Sequence, residues 1–128
     1  MKVLITGGAG FLGQKLAKQL LARGSLKDSD GVDQKIDKLL LVDVVEANDF
    51  GDQRVKVIAG DISNPELMQQ LITTEVQSIF HLAAIVSGQA EADFELGMRI
   101  NLDAARLLLE ACRSAGHKPK IVFTSSVA

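Results

Sequence analysis

The sequence predicts an α/β domain built on a doubly wound parallel sheet. Short apolar runs recur along the chain, helical stripes separate most of them, and the runs are apolar on both faces rather than alternating. Such a sheet needs helices on both sides, and right-handed crossovers then favour the strand order 3-2-1-4-5. The 128 residues, 47% hydrophobic and 23% charged, suffice for one domain with its own core. A formal net charge of −2 gives no general attraction to nucleic acid. No apolar run approaches the roughly 20 residues of a membrane span. The single cysteine, Cys112, excludes an internal disulfide frame and a multi-cysteine metal site. A cytoplasmic protein with no metal, nucleic-acid or membrane partner is expected.

The elements follow in order. Lys2 to Thr6 is an apolar run that ends in a glycine cluster and predicts the first strand. From Phe11 to Arg23, Leu12, Leu16, Leu20 and Leu21 share one helical face, and Gly24 supplies the stop. Gly24 to Asp37 is polar without an apolar period and predicts a solvated loop. Lys38 to Asp43 is the second strand and Arg54 to Ala59 the third. Asn64-Pro65-Glu66 opens a helix with proline at its first position, running to about Thr73. Ser78 to Ala83 is the fourth strand. The longest helical pattern covers Asp93 to Ala115, with Phe94, Met98, Leu102, Ala105, Leu109 and Cys112 predicted inward. Ile121 to Thr124 is the fifth strand.

Ligands of doubly wound sheets bind beyond the carboxyl ends of the strands. There, Thr6-Gly7-Gly8-Ala9-Gly10-Phe11-Leu12-Gly13 joins the first strand to the first helix. The glycines allow a sharp turn, give a diphosphate access to backbone free of Cβ atoms, and let the helix pack closely. The helix then presents free N–H groups and its positive dipole end. A glycine triplet alone is also consistent with a tight turn that binds nothing; its position between strand and helix favours a nucleotide. The lysine of a P-loop is misplaced here, since Gly13 is followed by Gln14-Lys15.

Asp43 ends the second strand, where an acid accepts from adenosine ribose hydroxyls; otherwise it is an ordinary solvated acid. It lies 30 residues beyond Gly13, more than the usual spacing of about 20, and the Gly24–Asp37 loop absorbs the excess. Its carboxylate repels a 2′-phosphate, and no Arg or Lys stands between Asp43 and Gln53 to neutralise one. NAD is therefore expected rather than NADP. Asp61 either accepts from the adenine amino group, with Ile62 against the ring, or caps the helix that follows.

Together TGGAGFLG, the acid of LLLVD, the GDIS turn, HLAA, Asn101 and VFTSS resemble the extended short-chain dehydrogenase/reductases, the NAD-dependent epimerases and dehydratases of sugars and sugar acids. The stretch from His81 to Phe94 is similar to the branch that oxidises the four-carbon sugar acid D-erythronate. The resemblance implies a Rossmann domain over residues 1–128 in which Gly7, Gly10, Phe11, Leu12 and Gly13 hold the diphosphate. It implies Asp43 at the ribose, Asp61 and Ile62 at the adenine, and the backbone of Leu82, Ala83 and Ala84 along the cofactor. Asn101 would brace the site through backbone or water, Ser125 would touch cofactor or substrate, and Ser126 would be the catalytic serine. Ala104 and Ala105 depart from the family's usual Gly and Thr. Family members commonly dimerise through the long helix, so a homodimer is implied for the full-length protein.

The same chemistry needs a tyrosinate and a lysine four residues beyond it. The sequence contains no tyrosine, and it ends two residues after Ser126. His81 and His117 are not ready substitutes: His81 is expected to pack or hydrogen-bond beneath the glycine loop, and His117 sits in a polar turn. The 128 residues therefore read as the N-terminal cofactor-binding part of a longer enzyme, lacking its last strands and substrate domain. Alternatives are a nucleotide-sugar epimerase or dehydratase, and a non-catalytic NAD-sensing or scaffold domain. Cys112 reads as a reduced core thiol, and Arg99 and Arg106 as a solvated face. The 128-residue chain is expected not to turn over: with any sugar acid, absorbance at the reduced-nicotinamide band should stay flat, and a rise would contradict this.

Overall fold

The structure, a computed structural model, describes residues 1–85 and 87–125. Strands β1 (Lys2–Thr6), β4 (Lys38–Asp43), β5 (Val55–Ala59), β6 (Val76–His81) and β7 (Lys120–Phe123) form one parallel sheet in the order β5-β4-β1-β6-β7. That is 3-2-1-4-5 once a separate two-stranded hairpin, β2 (Ser25–Lys27) and β3 (Asp33–Lys35), is left out of the count. Helix α1 (Phe11–Arg23) leads from β1 and α2 (Pro65–Leu71) from β5. The β6–β7 crossover contains α3 (Ser87–Ala92), α4 (Phe94–Gly97), a π-helical turn (Met98–Asp103) and α5 (Ala104–Ala115).

The continuous apolar runs serve two cores at once, because successive side chains of a strand point to opposite faces. Val3 and Ile5 of β1, with Leu39 and Leu41 of β4, pack towards Ala17 and Leu20 of α1. Leu4, Leu40 and Val42 pack the other way, with Met68 and Leu71 of α2 and Leu108 and Cys112 of α5. Full burial of each such aliphatic side chain contributes about 1.5–3 kcal/mol. Because the strands are parallel, all five carboxyl ends reach one edge. Thr6 sits beside Val42 on one flank and His81 on the other.

Helix ends follow their sequence signals. Gly24 terminates α1 at φ +74°, and its N–H bonds the Leu20 carbonyl at 2.8 Å. Asn64 caps α2 by accepting from the Glu66 N–H at 2.9 Å.

Four expectations are corrected. The Gly24–Asp37 segment is not a plain solvated loop, because it carries the hairpin and buries Ile36 completely against Leu39 and its neighbours. Its three apolar residues, Leu26, Val32 and Ile36, follow neither a strand nor a helix period. Leu12, expected inward, is 55% exposed, and its neighbour Phe11 is 78% exposed. On the long helix Phe94, Met98, Leu102 and Leu109 face outward, while Ala104, Leu108, Ala111 and Cys112 face the sheet. This segment is apolar on two sides, and Ala104, Leu108, Ala111 and Cys112 join the core with Leu4, Ile79 and Met68. Finally, β7 pairs only with β6, and both Val122 and Phe123 are exposed, so the fifth run is not covered on both faces among the described residues.

Replacing Ile36 by Ala should lower unfolding free energy by about 2–4 kcal/mol. Val32→Ala, in the hairpin turn, should change it by no more than about 0.5 kcal/mol. Equal and small effects in urea titrations would show the segment to be loosely attached.

Candidate functional site

Beyond the carboxyl edge of the sheet lies a cavity of about 360 Å³. It brings together Gly7 and Gly10 from the glycine turn, Asp43 from the end of β4, Asp61 and Ile62 after β5, and Leu82, Ala83 and Ala84 after β6. Eight of the sequence-expected residues thus meet in one place from four separate segments.

The glycine turn owes its shape to contacts that no other residue permits. Gly7 has φ +73°, and a Cβ there would lie 2.9 Å from the Ala83 nitrogen. A Cβ on Gly8 would lie 2.8 Å from that of Leu41, and one on Gly13 would collide with the Gly7 carbonyl oxygen. Gly10, at the cavity wall, would meet only the Gly7 oxygen, at 3.4 Å, so its absent side chain leaves room for a ligand. Gly10 is also the N-cap of α1 and supplies no capping side chain, leaving the first-turn N–H groups of Phe11, Leu12 and Gly13 for an anion. Those three residues lie outside the cavity lining; they start the helix behind it. Phe11 is 78% exposed, with the Lys15 ammonium 4.7 Å from its ring centre.

Asp43 is oriented by backbone donors. One carboxylate oxygen accepts from the Ala9 N–H at 3.0 Å and the other from the Val44 N–H at 2.7 Å. The acid is thereby tied to the glycine turn, and each oxygen keeps lone-pair capacity for a ligand hydroxyl. Asp61 does not cap α2, because Asn64 does. Its carboxylate accepts instead from the Ser63 hydroxyl at 2.7 Å and the Ser63 N–H at 2.9 Å. Those bonds, with a smaller pull from the positive charge of Arg99, hold its pKa below the ordinary aspartate value.

A smaller cavity, about 290 Å³, adjoins the first through Ala83, Ala84 and Ile85 and is lined further by Asn101, Phe123, Thr124 and Ser125. Asn101, in the π-helical turn, holds both backbone groups of Ile85: its side-chain oxygen accepts from the Ile85 N–H at 2.9 Å and its amide donates to the Ile85 carbonyl at 3.2 Å. It lines this second cavity rather than the larger one, acting on the loop. Ser126 lies outside the described residues.

His81 does lie beneath the loop, as expected. The Thr6 hydroxyl accepts from the Ala83 N–H at 3.2 Å and is 2.8 Å from His81 Nδ1. The hydroxyl thus bridges the loop after β6 and the imidazole. The ring stacks on Phe123 with centroids 5.7 Å apart. Burial lowers its pKa. His117 donates from Nε2 to the Val76 carbonyl at 2.8 Å, at the opposite end of β6. Cys112 is buried in the core, which raises its thiol pKa. Among the described residues no cluster of His, Cys, Asp and Glu could hold a metal, and no helix is long and apolar enough to cross a membrane.

Sequence reasoning missed Arg99, read there as part of a solvated face but lining the larger cavity. Gln89, Leu96 and Ile100 join it from the same crossover. No motif marks them, because the fold of the β6–β7 crossover decides which of its residues turn inward.

The profile of the 3-beta hydroxysteroid dehydrogenase/isomerase family matches residues 4–128. A D-erythronate dehydrogenase from Cupriavidus necator is 59% identical over the whole of this chain, which spans 39% of that protein. A nucleoside-diphosphate-sugar epimerase from Agrobacterium tumefaciens superposes with a TM-score of 0.85 at 42% identity, covering all of this chain and 38% of its own. A mutant of uronate dehydrogenase from the same organism, complexed with NAD, superposes with a TM-score of 0.76 at 25% identity, covering 98% and 40%. The chain therefore spans about two fifths of the length of the relatives it matches.

Stability should depend on pH through His81. Its folded pKa lies below that of the unfolded chain, so unfolding takes up a proton. The stability from keeping the ring neutral is complete above about pH 6.5 and is lost as pH falls below that value. The melting temperature should drop between pH 7.5 and 5.5, and less so in His81→Asn. Parallel curves for the two proteins would remove His81 as the source.

Proposed function

The chain belongs to the 3-beta hydroxysteroid dehydrogenase/isomerase family, and from that premise we propose that it is the NAD-binding portion of an oxidoreductase acting on a secondary hydroxyl of a sugar acid. One observation carries the cofactor reading. Gly7, Ala83 and Asp43 form one continuous wall, with the glycine turn pressed on the loop after β6 and tied through the Ala9 N–H to the acid ending β4. That wall offers backbone free of side chains for a diphosphate and a fixed carboxylate for a ribose.

In this reading the first-turn N–H groups of Phe11, Leu12 and Gly13 hold the diphosphate, beside Gly7 and Gly10. Asp43 accepts from the adenosine ribose, and Asp61 and Ile62 receive the adenine. Leu82, Ala83 and Ala84 carry the cofactor along the sheet edge, and Asn101 keeps that loop in place by its grip on Ile85. Ser125 lines the adjoining cavity, where a substrate would meet the cofactor. Ser126, assigned by its motif, would hydrogen-bond the substrate oxygen. Bound NAD would supply the hydride acceptor.

The sugar-acid assignment draws support from the D-erythronate dehydrogenase of C. necator. The second reading, a nucleotide-sugar epimerase or dehydratase, draws support from the A. tumefaciens epimerase structure. A cytoplasmic location and a homodimer of the full-length protein belong to the same proposal; the outward apolar stripe of Phe94, Leu102 and Leu109 fits an interface.

Titration calorimetry should show NAD binding to the folded chain below millimolar concentration and weaker NADP binding. Asp43→Ala should cut the preference for NAD about tenfold or more, the size of a lost charge-assisted hydrogen bond. A folded chain that takes up no NAD at millimolar concentration would defeat the proposal; unaltered selectivity would remove Asp43 from it.

A further inference from the structure

Arg99 is the one cationic side chain among the described residues that line the larger cavity. It comes from the π-helical turn after α4, a different part of the chain from the glycine turn, Asp43 and the Asp61–Ile62 segment. Its charge is felt at Asp61, where it adds to the hold of Ser63 on the carboxylate. Arg99 lines the same cavity as Gly60, Asp61 and Ile62. Ile62, Leu96 and Ile100 contribute apolar side chains to the same lining.

A guanidinium suits such a place in a way an ammonium does not. It is planar, weakly hydrated, and stacks on aromatic faces while keeping hydrogen-bonding edges free. An electron-rich nucleobase against Ile62 would leave one face for such a plane and one amino group for Asp61. From these features we infer that Arg99 is a cofactor-binding residue at the adenosine end of the cavity, its guanidinium lying against the base. The inference rests on the NAD reading above and assigns to it a contact from the β6–β7 crossover. A bound base would thereby join the crossover to the β5–α2 segment, so that one ligand holds together two parts of the site remote in sequence.

The test compares the 128-residue chain with Arg99→Lys and Arg99→Met by calorimetric titration with NAD and with 5′-AMP, which carries only the adenosine end. Arg99 is exposed, so thermal melts of all three proteins should superimpose. Both variants should bind AMP and NAD about three- to tenfold more weakly, because lysine keeps the charge but not the plane. Undiminished AMP binding by Arg99→Met would overturn the inference. So would full affinity in Arg99→Lys with loss only in Arg99→Met, which would mark a charge effect without stacking. If the folded wild-type chain binds neither ligand, the NAD reading fails, and this inference with it. If wild type binds and the variants match it, the inference alone fails.

Discussion

Backbone meets backbone where the glycine turn leaves β1, and the rest of the site is arranged around that contact. Gly7 presses on the Ala83 nitrogen, Gly8 on Leu41 of β4, and Gly13 on the Gly7 carbonyl. Each glycine therefore faces a different neighbour: the loop after β6, the adjacent strand, and the glycine turn itself. A single side chain at any of the three would push apart elements that must touch. Helix α1 opens on a fourth, uncapped glycine, Gly10. A capping side chain would satisfy the first-turn N–H groups that an anion would otherwise bind.

Two carboxylates stand at this edge, neither in an ion pair among the described residues, and backbone geometry makes that tolerable. Asp43 is held by the Ala9 and Val44 N–H groups, and Asp61 by the N–H and hydroxyl of Ser63. Hydrogen bonds from fixed donors stabilise a carboxylate and leave it unable to swing away. The Asp43–Ala9 bond also makes the acid and the glycine turn a single unit. Beneath them the Thr6 hydroxyl accepts from the Ala83 N–H and shares a hydrogen bond with His81 Nδ1, so the loop after β6 is bound from below by a side chain of β1.

The β6–β7 crossover contributes differently. Its helix is apolar on two sides, and the sheet takes the side lined with alanine and Leu108, leaving Phe94, Leu102 and Leu109 outward. In its first part the helical ladder widens to a π turn, where the Ala104 N–H reaches back to the Arg99 carbonyl. Such turns are frequent at functional sites. Here the turn holds Asn101, which grips Ile85, and Arg99, which lines the cavity.

The strand order, the meeting of the glycine turn with Asp43 at the carboxyl edge, and the Pro65 helix start were legible in the sequence. Each depends on local chemistry: positive φ for Gly7, a fixed φ for proline, an apolar run for a buried strand, a carboxylate at a strand end. Which of Asp61 and Asn64 caps α2 was not, because either side chain can accept from a first-turn N–H. The burial of Ile36, the outward stripe of the long helix and the inward position of Arg99 belong to tertiary structure alone. Periodicity reports that a helix has an apolar face, but a helix with two such faces is oriented by which one fits the sheet more closely. A lone isoleucine or arginine has no period at all, and its surroundings come into being only when distant segments pack together.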